Sequence, residues 1–157
     1  MTKKYTMVVI IAILICSFTQ AQIKTPAQIV KNVKTKITEI RVDELKNKMD
    51  SQHQFTLIDV RTEKEYLAGH IENAVWLPRG FIEFKIQKLI SDPDREIIIY
   101  CKRGSGSALS TYTLMEMGYN NVLNLDGGFE EWVNSGNSIY NYHGELGVIN
   151  FEKLEEE

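Results

Sequence analysis

The chain has 157 residues, of which 43% are hydrophobic, and this is enough for one globular domain with a proper core. Its formal net charge of −3 argues against nucleic acid as the main partner. No segment repeats at a fixed period or is low in complexity, which excludes a repeat architecture.

The first 21 residues have the pattern of a secretory signal peptide. Lys3 and Lys4 form a positive n-region, and Met7–Cys16 is an unbroken apolar run that is too short to span a membrane. A short polar stretch then ends in the small residue Ala21, which predicts cleavage after this position. We expect an exported protein, periplasmic or secreted, with no membrane attachment after cleavage.

Cleavage would leave Cys101 as the single cysteine of the mature chain. Lipidation of Cys16 is disfavoured because Ile15 is bulky where lipoprotein processing needs a small residue, and the short apolar run disfavours a retained anchor. A lone cysteine cannot form an internal disulfide. An unpaired thiol in an exported protein is a liability unless it is used, which favours a functional Cys101.

The mature chain begins with a polar leader at 22–36, predicted as an exposed segment or a loosely docked helix, with a solvated charged face favoured. Residues 37–40 then fit a strand or a turn. Asp43 is placed to cap a short helix that ends at Met49. The apolar run 55–60 predicts a buried strand.

Three further elements follow before the middle of the chain. Residues 62–68 predict a helix, since Thr62 and Glu65 have the spacing of a capping box. Residues 74–78 predict a short strand that ends at a proline. Residues 81–90 predict an amphipathic helix, whose expected apolar face consists of Phe81, Phe84, Ile86, Leu89 and Ile90.

The second half of the chain repeats the alternation of strand and helix. The predicted elements are strands at 96–100 and 121–125 and helices at 108–117 and 128–134. Five short apolar strands alternating with helices predict an α/β fold with a mostly parallel five-stranded sheet and helices on both faces. Reactive groups in such sheets lie at the carboxyl ends of strands, where Cys101 falls.

Cys101 lies between a buried strand and a glycine-rich cationic loop that leads into a helix. The loop consists of Lys102, Arg103, Gly104, Ser105, Gly106 and Ser107, all of them candidate substrate-binding residues. This arrangement directs backbone N–H groups and the positive end of a helix toward one sulfur, which favours the thiolate. The sequence therefore predicts a nucleophile, against the alternative of a buried inert cysteine.

Each polar loop residue has a purely structural interpretation as well as a functional one. Ser105 and Ser107 are either hydroxyl donors to the sulfur or turn and cap residues. Lys102 and Arg103 attract anionic donors or are simply solvated. A cysteine phosphatase places an Arg after five intervening residues, and this chain has Ser107 there, so phosphatase and arsenate reductase chemistry are disfavoured.

Four segments of the chain together resemble the rhodanese-like sulfurtransferase family, over residues 37–140. They are Leu57-Ile58-Asp59-Val60-Arg61 with Gly69-His70-Ile71, Asn73-Ala74-Val75-Trp76-Leu77-Pro78, Tyr100-Cys101-Lys102-Arg103-Gly104-Ser105-Gly106-Ser107, and Leu125-Asp126-Gly127-Gly128-Phe129 with Trp132. The resemblance implies a single α/β domain in which Cys101 accepts a sulfane sulfur and passes it to cyanide or a thiol. It implies no metal or cofactor.

The resemblance also implies small sulfur-containing anions or thiols as partners, a protein sulfur acceptor as a further partner, and a monomer. A non-catalytic sulfur carrier or protein-binding module on the same fold remains the alternative. In many relatives that use thiosulfate, the sixth loop position is an Arg, where this chain has Gly106. We therefore expect thiosulfate to be a poor donor and persulfides or polysulfides to be preferred.

Asp59, Arg61 and His70 are interpreted as structural support rather than as acid–base catalysts. Asp59 and Arg61 at a strand end predict an ion pair that fixes the neighbouring loop, and His70 is expected to be a positioned structural side chain. No metal site is indicated around the other histidines. The acidic tail at 141–157 lies beyond the resemblance and is expected to be solvated and mobile.

Overall fold

The computed structural model describes residues 22–147. The predicted signal peptide and the last ten residues of the predicted tail lie outside this range. Within it, no helix is both long enough and apolar enough to cross a membrane.

The core of the molecule is one five-stranded sheet. Its strands are β1 (Thr38–Ile40), β2 (Thr56–Asp59), β3 (Val75–Trp76), β4 (Ile97–Tyr100) and β5 (Val122–Leu125), in the spatial order β1-β5-β4-β2-β3. Every pairing is parallel, which confirms the predicted α/β class. The central strand β4 is buried along its whole length, as its unbroken run of apolar residues requires.

Helices cover both faces of this sheet. They are α1 (Pro26–Lys34), α2 (Val42–Asp50), α3 (Glu63–Ala68), α4 (Ile82–Leu89), α5 (Ser105–Glu116) and α6 (Gly128–Asn134), with a 3-10 turn at Arg79–Phe81. Ile97 and Ile99 of β4 pack into one buried cluster together with α4 and α5. Ile98 and Tyr100 pack into the other cluster with α2 and α6, as the two-residue period of a strand dictates.

The polar leader contains a docked helix rather than a solvated charged face. Helix α1 begins after Thr25, whose side chain accepts a hydrogen bond from the Gln28 N–H. Val33 is buried, and Lys34 forms ion pairs with Glu39 at 2.8 Å and with Asp126 at 2.9 Å. The charges of this segment thus serve in part to hold the helix against the sheet edge.

Helix α4 buries only part of its predicted apolar face: Ile86 and Ile90 are buried as predicted, together with Ile82, which the prediction did not include. Ile82, Ile86 and Ile90 recur every four residues and are 0%, 0% and 6% exposed, whereas Phe84 is 77% exposed. Ile82 and Ile86 of the helix and Ile90 directly after it pack into one buried cluster of the core. Phe81 and Leu89 of the predicted face are also exposed.

Two helices begin earlier than predicted. Arg41, not Asp43, precedes α2, and the Arg41 N–H donates to the Glu44 carboxylate. Helix α5 begins at Ser105 instead of 108, because Gly104 takes a left-handed conformation with φ of 84° and turns the chain into the helix. The last three loop residues therefore belong to the first turn of α5.

The predicted tail begins in a small β-hairpin. Strands β6 (Ile139–Asn141) and β7 (Gly144–Leu146) pair antiparallel. Tyr140 also exchanges two backbone hydrogen bonds with His70, at 2.9 and 2.8 Å. The hairpin thus joins the turn after α3, and the part of the tail at 141–146 is structured.

Candidate active site

Cys101 lies at the carboxyl end of the central strand, where the sequence predicts a reactive group. Its thiol is free and partly buried. The chain passes from β4 to α5 in only four residues, so the sulfur lies directly beside the N-terminus of this twelve-residue helix. Backbone N–H groups at such a terminus bind negative charge.

Of the two candidate hydroxyl donors, the structure brings only Ser107 to the sulfur. The Ser107 hydroxyl donates to Cys101 Sγ at 3.4 Å, and the Ser107 side chain is fully buried. Ser105 is exposed at the helix start. A buried hydroxyl has no competing water, so Ser107 is a fixed donor to the sulfur.

The backbone at the start of α5 supplies further donors. The first hydrogen bond of the helix runs from the Ala108 N–H to the Gly104 carbonyl at 3.1 Å, so the N–H groups of 105–107 have no acceptor within the helix. Gly104 is buried and left-handed, and a Cβ there would lie 3.2 Å from the Leu125 carbonyl oxygen. Gly104 therefore acts on the conformation of the loop and has no side chain that could contact a substrate.

Helix α6 holds the loop through backbone hydrogen bonds from residues that the sequence analysis did not assign to the site. The Phe129 N–H donates to the Cys101 carbonyl at 2.9 Å, and the Glu130 N–H donates to the Lys102 carbonyl at 3.0 Å. Since carbonyl and N–H point in opposite directions across a trans peptide, these bonds turn the following N–H groups away from α6. The close approach requires Gly128, whose φ is 61°. The two consecutive glycines before Phe129 were the sequence signal that could have indicated this close approach of α6 to the loop.

Of the two loop cations, Arg103 is paired with a carboxylate and Lys102 lines a separate cleft. Arg103 Nε donates to Glu130 Oε2 at 2.7 Å, and both side chains are largely exposed. Lys102 lines a mostly apolar cleft of about 370 Å³ together with Arg61 and Glu65, and Cys101 is not part of its lining. Hydrogen bonds from Thr62 lower the pKa of Glu65, and the charge of Lys102 adds to this effect.

Asp59 and Arg61 form the predicted ion pair, and it is almost wholly buried. Arg61 Nε lies 3.0 and 2.9 Å from the two Asp59 oxygens, and Arg61 also donates to the Gly69 carbonyl at 2.7 Å. The guanidinium carbon lies 3.8 Å from the centre of the Phe129 ring. Burial opposes the charge of Arg61, but the Asp59 carboxylate outweighs burial and raises the pKa of Arg61. This pair ties β2 to the α3 turn and to α6.

We expect Asp59→Asn to lower the free energy of unfolding by about 2–3 kcal/mol, because Arg61 would keep its burial and lose its counter-charge. Asp43→Asn is a matched control: Asp43 also pairs with an arginine two residues away, Arg41, but both are mostly exposed. The control should cost about 1 kcal/mol or less. Equal midpoints in urea for the two variants would contradict a stabilising role for the buried pair.

Among residues 22–147, the His70 side chain contacts Tyr66. Its ring stacks on Tyr66 with centroids 4.0 Å apart, and Nδ1 lies 3.0 Å from the Tyr66 carbonyl oxygen. No group of three metal-ligating side chains is found in the part of the chain that the structure describes.

Two relatives have names that refer to sulfur chemistry. The chain is 33% identical over 100 residues to a sulfurtransferase of Allochromatium vinosum, covering 64% of this chain and 92% of that protein. It is 32% identical over 96 residues to a Bacillus subtilis protein provisionally named a sulfur carrier, covering 61% of this chain and 51% of that protein.

Solved structures share the fold. A Rhodopseudomonas palustris protein of unknown function, described as a possible tyrosine phosphatase, superposes with a TM-score of 0.69 at 22% identity, covering 77% of this chain and 98% of that one. A rhodanese-like domain protein of Staphylococcus aureus superposes with a TM-score of 0.53 at 30% identity, covering 61% and 91%. The sequence profile of the rhodanese-like domain matches residues 41–135, more than half of the chain. The chain therefore belongs to the rhodanese-like domain family.

Proposed function

We propose that the protein is a sulfurtransferase whose Cys101 accepts a sulfane sulfur and passes it to a thiol or to cyanide. The observation that carries the proposal is a partly exposed thiol at the end of the central strand. This thiol accepts a hydrogen bond from the Ser107 hydroxyl and lies next to the first N–H groups of α5, which have no acceptor within the helix. The relatives named for sulfur transfer and sulfur carriage support sulfur as the transferred element.

The reaction divides into two displacements at sulfur. In the first, the Cys101 thiolate attacks the outer sulfur of the donor, and the donor's own sulfur–sulfur bond breaks with its electron pair leaving on the remaining group. In the second, the acceptor attacks the terminal sulfur and Cys101 leaves as thiolate. The intermediate charge is on the terminal sulfur, which the N–H groups of 105–107 are placed to stabilise.

A sulfur carrier that is loaded once, without turnover, remains the second candidate, and it is favoured by the Bacillus subtilis relative. Phosphatase chemistry is disfavoured by the loop itself. Where a cysteine phosphatase needs an Arg to hold phosphate oxygens, this chain has Ser107, which is buried and bonded to the sulfur.

Intact mass spectrometry tests the proposal on the purified protein. After incubation with glutathione persulfide, the protein should gain the mass of one sulfur atom, and cyanide should remove it with formation of thiocyanate. Many thiocyanate molecules per protein indicate an enzyme, whereas one indicates a carrier. No adduct with either glutathione persulfide or thiosulfate would contradict both candidates.

We expect Ser107→Ala to lower kcat/KM for sulfur transfer about tenfold, because one hydrogen bond to a charged sulfur is lost. Ser110→Ala is the matched control on the same helix, since the Ser110 hydroxyl is equally buried but donates to the Gly106 carbonyl at 3.3 Å. The control should change kcat/KM roughly twofold or less. Equal effects of the two substitutions would show that Ser107 affects the rate by stabilising the helix and not by its hydrogen bond to the sulfur.

A further inference from the structure

An arginine from another element lies near Gly106. A methyl group built on Gly106 would lie 3.5 Å from Cys101 Sγ and 3.9 Å from Cδ of Arg79. Arg79 opens the 3-10 turn between β3 and α4, far from the loop in sequence. Arg79 Cδ and Cys101 Sγ therefore both lie on the side of Gly106 toward which a side chain would point.

The backbone of Arg79 is fixed to the sheet. Its N–H donates to the Val60 carbonyl at 3.2 Å, and the Leu77 N–H donates to the Asp59 carbonyl at 3.0 Å. These bonds place the turn at the carboxyl end of β2, which is a direct neighbour of β4. Main-chain bonds thus hold the Arg79 backbone at the edge of the sheet where Cys101 lies.

Arg79 is also a cation near this site that has no ion-pair partner among residues 22–147. Arg103 is paired with Glu130, and Lys102 lines the separate cleft. Arg79 is exposed, and within residues 22–147 no carboxylate lies within ion-pair distance of it. Its guanidinium is therefore available to an anion that approaches the sulfur.

We propose that Arg79 is the specificity-determining residue of this active site: it binds the anionic group of the sulfur donor that is not transferred. The proposal rests on the proposed sulfurtransferase function. The ligand class is a small donor with an oxyanion next to its sulfane sulfur, of which thiosulfate is the simplest. The fork of the guanidinium matches the oxygens of a sulfonate.

The step balances without another reactant. The Cys101 thiolate forms a bond to the outer sulfur of thiosulfate, and the sulfur–sulfur bond of thiosulfate breaks. The electron pair stays on the departing sulfite dianion, and the persulfide on Cys101 carries the remaining negative charge. Arg79 stabilises the growing charge on sulfite, while the N–H groups of α5 stabilise the charge on the persulfide.

This assignment changes the expectation for thiosulfate. The sequence predicts a poor donor because Gly106 has no charge, but the structure provides an arginine from outside the loop. Thiosulfate should therefore be a competent donor, and its use should depend on Arg79.

The test compares two donors in wild type and in Arg79→Gln. Thiosulfate carries the oxyanion, and 2-hydroxyethyl persulfide has an uncharged tail. The variant should lose about tenfold or more in kcat/KM for thiosulfate, the effect of one charge-assisted contact, and should retain the rate with the hydroxyethyl donor. Sulfur loading of Cys101 can also be monitored by intact mass spectrometry at limiting donor concentration. The variant should then load more slowly with thiosulfate and at the wild-type rate with the hydroxyethyl donor.

Two further variants complete the test. Lys85→Gln removes a neighbouring exposed cation, whose Nζ lies 4.8 Å from the centre of the Phe81 ring, and should leave both donors unchanged. Gly106→Arg in the Arg79→Gln background should restore thiosulfate use, because a side chain at 106 meets only ordinary contacts.

Equal losses with both donors, or no loss with thiosulfate, would overturn the role of Arg79. Wild type that is loaded by the hydroxyethyl donor and not by thiosulfate would overturn it as well, and would leave the proposed function intact. Wild type loaded by neither donor would contradict the proposed function itself.

Discussion

Cys101→Ser should abolish sulfur transfer and leave the fold intact. Serine is nearly isosteric with cysteine, but a hydroxyl is a poor acceptor of sulfur at neutral pH. The site is only partly buried, so the loss of the larger sulfur atom leaves little unfilled volume. We expect the rate of thiocyanate formation to fall to that of the uncatalysed reaction, and the mass adduct to disappear.

Circular dichroism and the urea midpoint should match those of the wild type, which separates loss of the nucleophile from loss of structure. Because Cys101 is the free cysteine of the described chain, the same variant also tests where the sulfur is carried. Transfer that continues in a folded Cys101→Ser protein would rule out the persulfide mechanism.

The strands and the position of Cys101 at the sheet edge could be predicted from the sequence because both depend on local patterns. Short apolar runs such as 97–100 form buried parallel strands, and the sheet places the end of each run at one edge. The glycine after Arg103 signals a sharp turn into a helix. The position of Cys101 therefore follows from its neighbours in the chain.

What could not be predicted depends on contacts between distant segments. The burial of Ile82 rather than Phe84 is decided by the sheet beneath α4, since both faces of this helix carry apolar residues. The partner of Arg103 comes from α6, and the cation beside the sulfur comes from the turn after β3. Local patterns identify which residues are cationic, but only the packing of the elements shows which of them are paired and which lie near the sulfur.

Gly128→Ala should be the most destabilising single-methyl change in the site. A Cβ at Gly128 would lie 2.4 Å from the Cys101 carbonyl oxygen, and its other neighbours are also main-chain atoms of the loop. The loop must then move away from α6, which weakens the two hydrogen bonds that orient it. We expect a loss of about 3–5 kcal/mol in the free energy of unfolding, from overpacking and from left-handed strain together.

Gly136→Ala isolates the two contributions to this loss. Gly136 follows the other end of α6 and has a similar φ of 77°, but among the described residues, its chain neighbours aside, no atom lies within 4 Å of the added Cβ. The control should therefore cost only the left-handed strain, about 1–2 kcal/mol, and should leave kcat/KM unchanged. Since α6 holds the carbonyl groups of Cys101 and Lys102, Gly128→Ala should also lower kcat/KM at temperatures where the variant is fully folded. Equal unfolding free energies for the two variants would mean that the loop moves away from α6 at no cost in stability, and that α6 does not set the geometry of the thiol.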